Sequence, residues 1–120
     1  MSRRGGIIQI AVNGVRYDAK GDFSYNLGRP MAEAIIGADA VHGYKETPQV
    51  PFIEGEITDR GTLDLDGLVT MRDASVTLYL ATGKVIALRN AWYAAEGTGN
   101  TEEGNIEFRF EGMSAEEVPA

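Results

Sequence analysis

Along most of the chain, apolar and polar residues alternate with a period of two, the pattern of extended strands with one face on a core. Ile8, Ile10 and Val12 alternate with Gln9 and Ala11, and Asn13-Gly14 then gives the strongest short hairpin signal. Val15 to Tyr17 is read as the returning strand. Asp22 to Leu27 alternates again, with Phe23, Tyr25 and Leu27 on one side and Asp22, Ser24 and Asn26 on the other. Val76, Leu78 and Leu80 point inward from Ser75 to Leu80. Thr82-Gly83 makes a tight turn, and Lys84 to Leu88 runs back with Ile86 and Leu88. The cleanest case comes last: Ile106, Phe108 and Phe110 alternate with Glu107, Arg109 and Glu111.

The segment from Val50 to Leu65, VPFIEGEITDRGTLDL, carries the most information. Phe52, Glu54, Glu56 and Thr58 fall on one face of an extended chain, and Ile53, Gly55 and Ile57 on the other. Glu54 and Glu56 therefore project from the same face, close enough to repel. A lone domain gains nothing from that repulsion, whereas a surface selected to be acidic does. A plain solvated strand face is the ordinary alternative, and charged edge residues that block aggregation are another.

Helix is scarce. Asp64 to Met71 is the best candidate, with Leu65, Leu68 and Val69 at helical spacing, an aspartate available as the cap, and Gly67 counting against it. Gly28 to Gln49 and Ala94 to Gly104 show no clear periodicity. The first is too long for an ordinary connection and reads as a functional excursion. The fold expected is mainly β: an antiparallel sandwich or half-barrel with one short helix and a long loop over about residues 28–49. The 120 residues make a single domain. Its ends, about 1–6 and 113–120, are expected to be loose.

Composition narrows function. The net charge is −7, from 11 basic and 18 acidic residues, which argues against a footprint built to neutralise phosphates. There is no cysteine, so disulfide and thiolate chemistry are excluded. No apolar run is long enough for a spanning helix, and Met1-Ser2-Arg3-Arg4 followed by Gly-Gly does not read as a secretory signal. Enzyme chemistry finds no foothold. Glu54 and Glu56, two apart on one strand, flank nothing as a glycosidase pair would. His42 is the sole histidine, so neither a histidine metal cluster nor a triad can form, and a loop hydrogen bond is its expected role. Asp64-Leu65-Asp66-Gly67 has its glycine too early for a calcium loop and lacks the distal glutamate. Gly97-Thr98-Gly99-Asn100 is a turn rather than a phosphate loop, since no third glycine or Lys-Ser/Thr follows. No cofactor is called for.

Several segments, taken in order, resemble the tail tube proteins of contractile-tailed, Mu-like bacteriophages. They are Asn13-Gly14-Val15-Arg16-Tyr17-Asp18-Ala19-Lys20-Gly21, Tyr25-Asn26-Leu27-Gly28, Gly37-Ala38-Asp39 and His42-Gly43-Tyr44-Lys45-Glu46. They continue with Ile53-Glu54-Gly55-Glu56-Ile57-Thr58-Asp59, Gly83-Lys84-Val85, Asn90-Ala91-Trp92-Tyr93, Glu103-Gly104 and Arg109-Phe110-Glu111-Gly112. No piece is diagnostic alone; order and spacing are. Where the family often has Asn-Gly before the lysine of the central hairpin, this chain has Thr82-Gly83, which alters turn preference only.

The resemblance implies a structural role, not an enzyme. Subunits of this family form hexameric rings that stack into a hollow tube inside a contractile sheath, and DNA passes through the lumen without specific binding. Partners implied are further copies of the chain and the sheath, baseplate, tape-measure and tail-completion proteins. The implied location is the virion tail, reached from the host cytoplasm during assembly, with no membrane role. On this reading Glu54, Glu56, Thr58, Glu107 and Glu111 are candidates to face the lumen. Arg29, Ile35, Ile36, His42, Tyr44 and Lys45 are candidates for a ring-stacking loop, and Trp92 and Tyr93 for interface aromatics, with the core as the competing place for that pair. Two alternatives stay open: a tube subunit of a phage-derived, tailocin-like particle, and a monomeric small β-barrel that binds a ligand.

Overall fold

The computed structural model describes residues 9–119. Ile8 and the stretch expected to be a loose N-terminal end lie outside them. The strands in chain order are β1 (Gln9–Val12), β2 (Val15–Tyr17), β3 (Ala19–Asn26), β4 (Met31–Ile36), β5 (Val41–Thr47) and β6 (Phe52–Thr58). One helix, α1 (Leu65–Val69), follows. The remaining strands are β7 (Ala74–Tyr79), β8 (Val85–Tyr93), β9 (Gly99–Asn100), β10 (Asn105–Glu111) and β11 (Ser114–Val118). The mainly β, antiparallel fold with one short helix is as the alternation predicts.

Nine strands make one sheet in the order β2-β1-β7-β8-β10-β6-β3, with β11 beside β8 and β9 beside β10. The sheet folds over on itself as an open half-barrel around a single core. Ile10, Val12, Val76, Leu78, Ile86 and Leu88 come from one half, and Ile53, Ile57, Ile106, Phe108 and Phe110 from the other. Leu68 of α1 closes the core. Aromatic rings run through its middle: Phe108 lies 5.1 Å from Phe110 and 5.7 Å from Phe23, and Tyr93 meets Phe110 edge-on at 5.5 Å.

The fold-over has a local cause. Asn90 sits at φ 50°, inserting an extra residue into β8 where its register with β7 slips. The buried positions change parity there, from Ile86 and Leu88 to Ala91 and Tyr93. That is why the alternation is legible only as far as Leu88, although the strand continues to Tyr93. Beside this bend, β10 gives way to β11 at Gly112. Its amide donates to Pro51 O at 3.1 Å, and a Cβ there would stand 2.8 Å from Arg89 O. Any side chain at that position would crowd the crossing between the two halves and force the backbone to shift.

Three segments differ from expectation. Gly28 to Gln49 is not an irregular loop but a separate two-stranded hairpin, β4–β5. Its sequence lacks alternation because neither face is buried by the subunit: Ile36 is 74% exposed, and Val41 and Tyr44 are 68% exposed. The tail after Gly112 is not loose, since β11 pairs with β8 from Ser114 to Val118. It reads as polar because only Ala115 of that strand is buried. Within Ala94 to Gly104 lies the short β9 and a turn held by Asn100, whose side-chain oxygen accepts from the amides of Glu102 and Glu103.

Asp64 caps α1 as expected, its carboxylate accepting from Gly67 N at 3.0 Å.

Candidate assembly surfaces

The outward face of β6 and β10 is set by register. Glu107 stands opposite Glu56, Arg109 opposite Glu54, Glu111 opposite Phe52, and Asn105 opposite Thr58. On the far side of β6, strand β3 places Lys20 beside Glu56, Ser24 beside Glu54 and Asn26 beside Phe52. All five candidates Glu54, Glu56, Thr58, Glu107 and Glu111 therefore share one surface, while Ile53, Ile57, Phe108 and Phe110 point into the core. Gly55 belongs to the core side. The Phe23 ring lies over it, and a Cβ there would come within 2.6 Å of that ring.

The surface is not uniformly acidic. Arg109 Nη1 reaches Glu54 Oε1 at 2.6 Å, and its Nη2 reaches Glu111 Oε2 at 2.7 Å. Its guanidinium also stacks 4.3 Å above the Phe52 ring. One arginine thus holds two carboxylates and an aromatic in a fixed arrangement. Glu56 accepts from Asn105 Nδ2 at 2.9 Å but has no cation partner among the described residues, and neither has Glu107. Lys20, although beside Glu56 in register, donates to the Glu103 carbonyl at 2.6 Å. A shallow hollow between Glu56, Glu96, Glu103 and Glu107 is the strongly negative part of the face.

Sequence reading found the acids but not the clamp. Arg109 alternates with Glu107 and Glu111, a visible signal, yet only the pairing of β10 with β6 brings it to Glu54. Glu96, Glu103 and Lys20 join the face through a turn and an edge strand whose positions the sequence does not give.

The two aromatics expected together at an interface are separated. Tyr93 is a core residue, 5% exposed, with its hydroxyl donating to Glu107 O. Burial, with the nearby Glu107 carboxylate, pushes its pKa up to about 12. Trp92, one residue along the strand, takes the opposite face and is only half-buried, beside Glu111. Trp92 alone is available to a neighbour.

Ile35, Ile36, His42, Tyr44 and Lys45 all lie on the β4–β5 hairpin, and Arg29 sits at its root. The root is pinned: Asn26 Nδ2 donates to Gln49 Oε1 at 3.0 Å, and Gln49 Nε2 to Arg29 O at 3.2 Å. Beyond it the hairpin touches little of the body, and none of its residues joins the core. Gly37 and Ala40 close the tip, where the His42 ring packs against Gly37. The radius of gyration, 17.1 Å, exceeds the roughly 14 Å of a compact chain of this length, as a projecting arm requires.

The described fold is thus an open sheet with a charged outward face and a hairpin whose tip exposes Ile36 and Val41. The chain belongs to the phage tail tube protein family, whose sequence pattern it matches over residues 1–117. This is a family of structural tail components, not of enzymes. Among curated proteins no sequence matches it. In fold it is similar to the cryo-EM structure of the sheath/tube terminator of an extracellular contractile injection system, PVC, in the extended state. The TM-score is 0.63 at 9% identity, over 92% of this chain and 91% of that one.

Proposed function

We propose that this protein is the repeating subunit of a tail tube: copies close into hexameric rings, the rings stack, and DNA passes through the lumen during ejection. The observation that carries the reading is the open sheet. Among the described residues β3 and β2 end it with unpaired margins, a liability that closure of copies around an axis removes.

The β3–β6–β10 face is the lumen lining on this reading. Duplex DNA carries about one charge per 1.7 Å of axis, so a basic wall would bind it and stall transit. Glu56 and Glu107 keep such a wall negative, while Arg109 fixes Glu54 and Glu111 without making it basic. The β4–β5 hairpin, bearing Ile35, Ile36, His42, Tyr44 and Lys45, is the stacking arm. Sheath, baseplate, tape-measure and tail-completion proteins are the partners this role calls for, in the virion tail after assembly in the host cytoplasm.

Negative-stain microscopy of the purified protein tests the reading. Rings or tubes with an axial channel are expected, and deletion of residues 32–44 should leave a folded subunit that forms no tubes. A monodisperse monomer at millimolar concentration would overturn it in favour of a ligand-binding barrel.

A further inference from the structure

The arm and one hollow of the body lie at opposite ends of the same pair of strands. β3 and β6 run antiparallel, and the hairpin is inserted between the end of β3 at Asn26 and the start of β6 at Phe52. At the other end of this pair Thr58 N donates to Asp18 O at 2.8 Å. There a cavity of about 350 Å³ opens between β2 and the segment leading into α1, with Val15, Arg16, Tyr17, Arg60 and Leu63 on its walls. The seven residues of β6, at about 3.3 Å each, separate root from cavity by roughly 20 Å. An arm that projects from one end cannot enter a hollow at the other within the same subunit. Between copies displaced along the strand direction, the two ends meet.

The surfaces suit each other chemically. The tip presents Ile36 and Val41, both strongly exposed, with Asp39 between them. The cavity offers Val15, 57% exposed, with half-buried Tyr17 and Leu63 behind it. Its other charges are already engaged: Arg60 pairs with Asp18, and Asp64 caps α1. Arg16 forms no ion pair among the described residues, which leaves it on the rim to meet an acid.

We propose that the Ile36–Val41 tip of one copy docks into the Val15–Leu63 hollow of the next, Asp39 meeting Arg16. The proposal rests on the self-assembly reading above and adds the acceptor for the arm. Such a contact is heterologous, and between copies displaced along the strand direction, where it does not close into a ring, it repeats as an open stack.

The chain has no cysteine, so two introduced thiols would react alone. In the double variant Val15→Cys/Ile36→Cys both positions are exposed, and folding should be untouched. Concentrated protein treated with a short bis-maleimide should give a ladder of covalent multimers, while each single variant gives monomer. Tubes without a ladder would overturn the docking and leave tube assembly standing. Dimers from Ile36→Cys alone would replace the docking with an arm-to-arm contact. Neither tubes nor ladder would overturn both. As a second readout, Arg16→Asp or Asp39→Arg should each lower tube yield at least tenfold, and the two combined should restore it. Full yield from both single variants would refute the pairing.

Discussion

Glu107 and Glu56 stand directly opposite each other on neighbouring strands, with no cation bonded to either among the described residues. Like charges placed this way destabilise a sheet by a few tenths to about 1 kcal/mol. Glu107→Gln should therefore raise the free energy of unfolding by about 0.5 kcal/mol, read as a shift in the urea midpoint at constant slope. If the face lines a lumen, the same substitution in assembled particles should slow DNA release, a cost that explains why the repulsion is kept. An unchanged or lowered midpoint would remove the premise.

Arg109 is the counterpart of that repulsion. Arg109→Ala strips the partner from two partly buried carboxylates and uncovers the Phe52 ring, so a loss of about 1–2 kcal/mol is expected. Arg109→Lys should recover less than half of this, because an ammonium can neither bridge both carboxylates as a fork nor stack as a plane. Chemical denaturation of the three proteins side by side is the check.

Gly112 is where the two halves of the sheet join. In Gly112→Ala the new methyl meets the Arg89 carbonyl and the Leu88 side chain, both within 3 Å. A backbone atom cannot rotate away. The variant should lose about 2 kcal/mol or more, with a fall of several degrees in thermal midpoint. Gly14→Ala, at an open turn with nothing nearby, serves as the comparison and should show only the strain of its φ of 84°.

Tyr93 links stability to alkaline pH. Its pKa rises from 10.0 in the unfolded chain to about 12 in the fold. The folded state thus holds the proton more tightly. The corresponding stabilisation is complete below pH 10 and is lost as pH climbs through 12. Two pKa units set an upper bound of about 2.7 kcal/mol. Tyr93→Phe should be less stable at neutral pH, by about 1 kcal/mol for the lost hydrogen bond to Glu107 O. Its stability should also fall less steeply between pH 10 and 12. Parallel slopes for the two proteins would contradict this.

The hairpin should report assembly through hydrogen exchange. A two-stranded ladder outside the core opens readily. Amides of Met31–Ile36 and Val41–Thr47 should exchange at least a hundredfold faster than those of β7 and β8 in the free subunit, and slow markedly in tubes. Equal protection in both states would show that the arm is already fixed by its own subunit.

Alternation by itself determined which residues of β6, β7 and β10 face inward, because each of these strands buries one side and leaves the other more exposed; in β1 it marked Ile10 and Val12 but not the burial of Ala11 between them. Asn13-Gly14, Thr82-Gly83 and the Asp64 cap were legible for the same reason: turn and cap chemistry acts over a few residues. Family membership was legible too, in the order of segments from Asn13 to Gly112. The arm was recognised as an excursion but not as a hairpin, since a strand buried on neither face leaves no periodic trace. β8 beyond Leu88 and the whole of β11 were hidden, the first by the parity change at Asn90, the second by an edge strand's polar side chains. Above all, the balance of charge on the outward face was decided by tertiary structure alone. Glu54 and Arg109 are fifty-five positions apart, and only the β6–β10 register makes one neutralise the other while leaving Glu56 and Glu107 opposed.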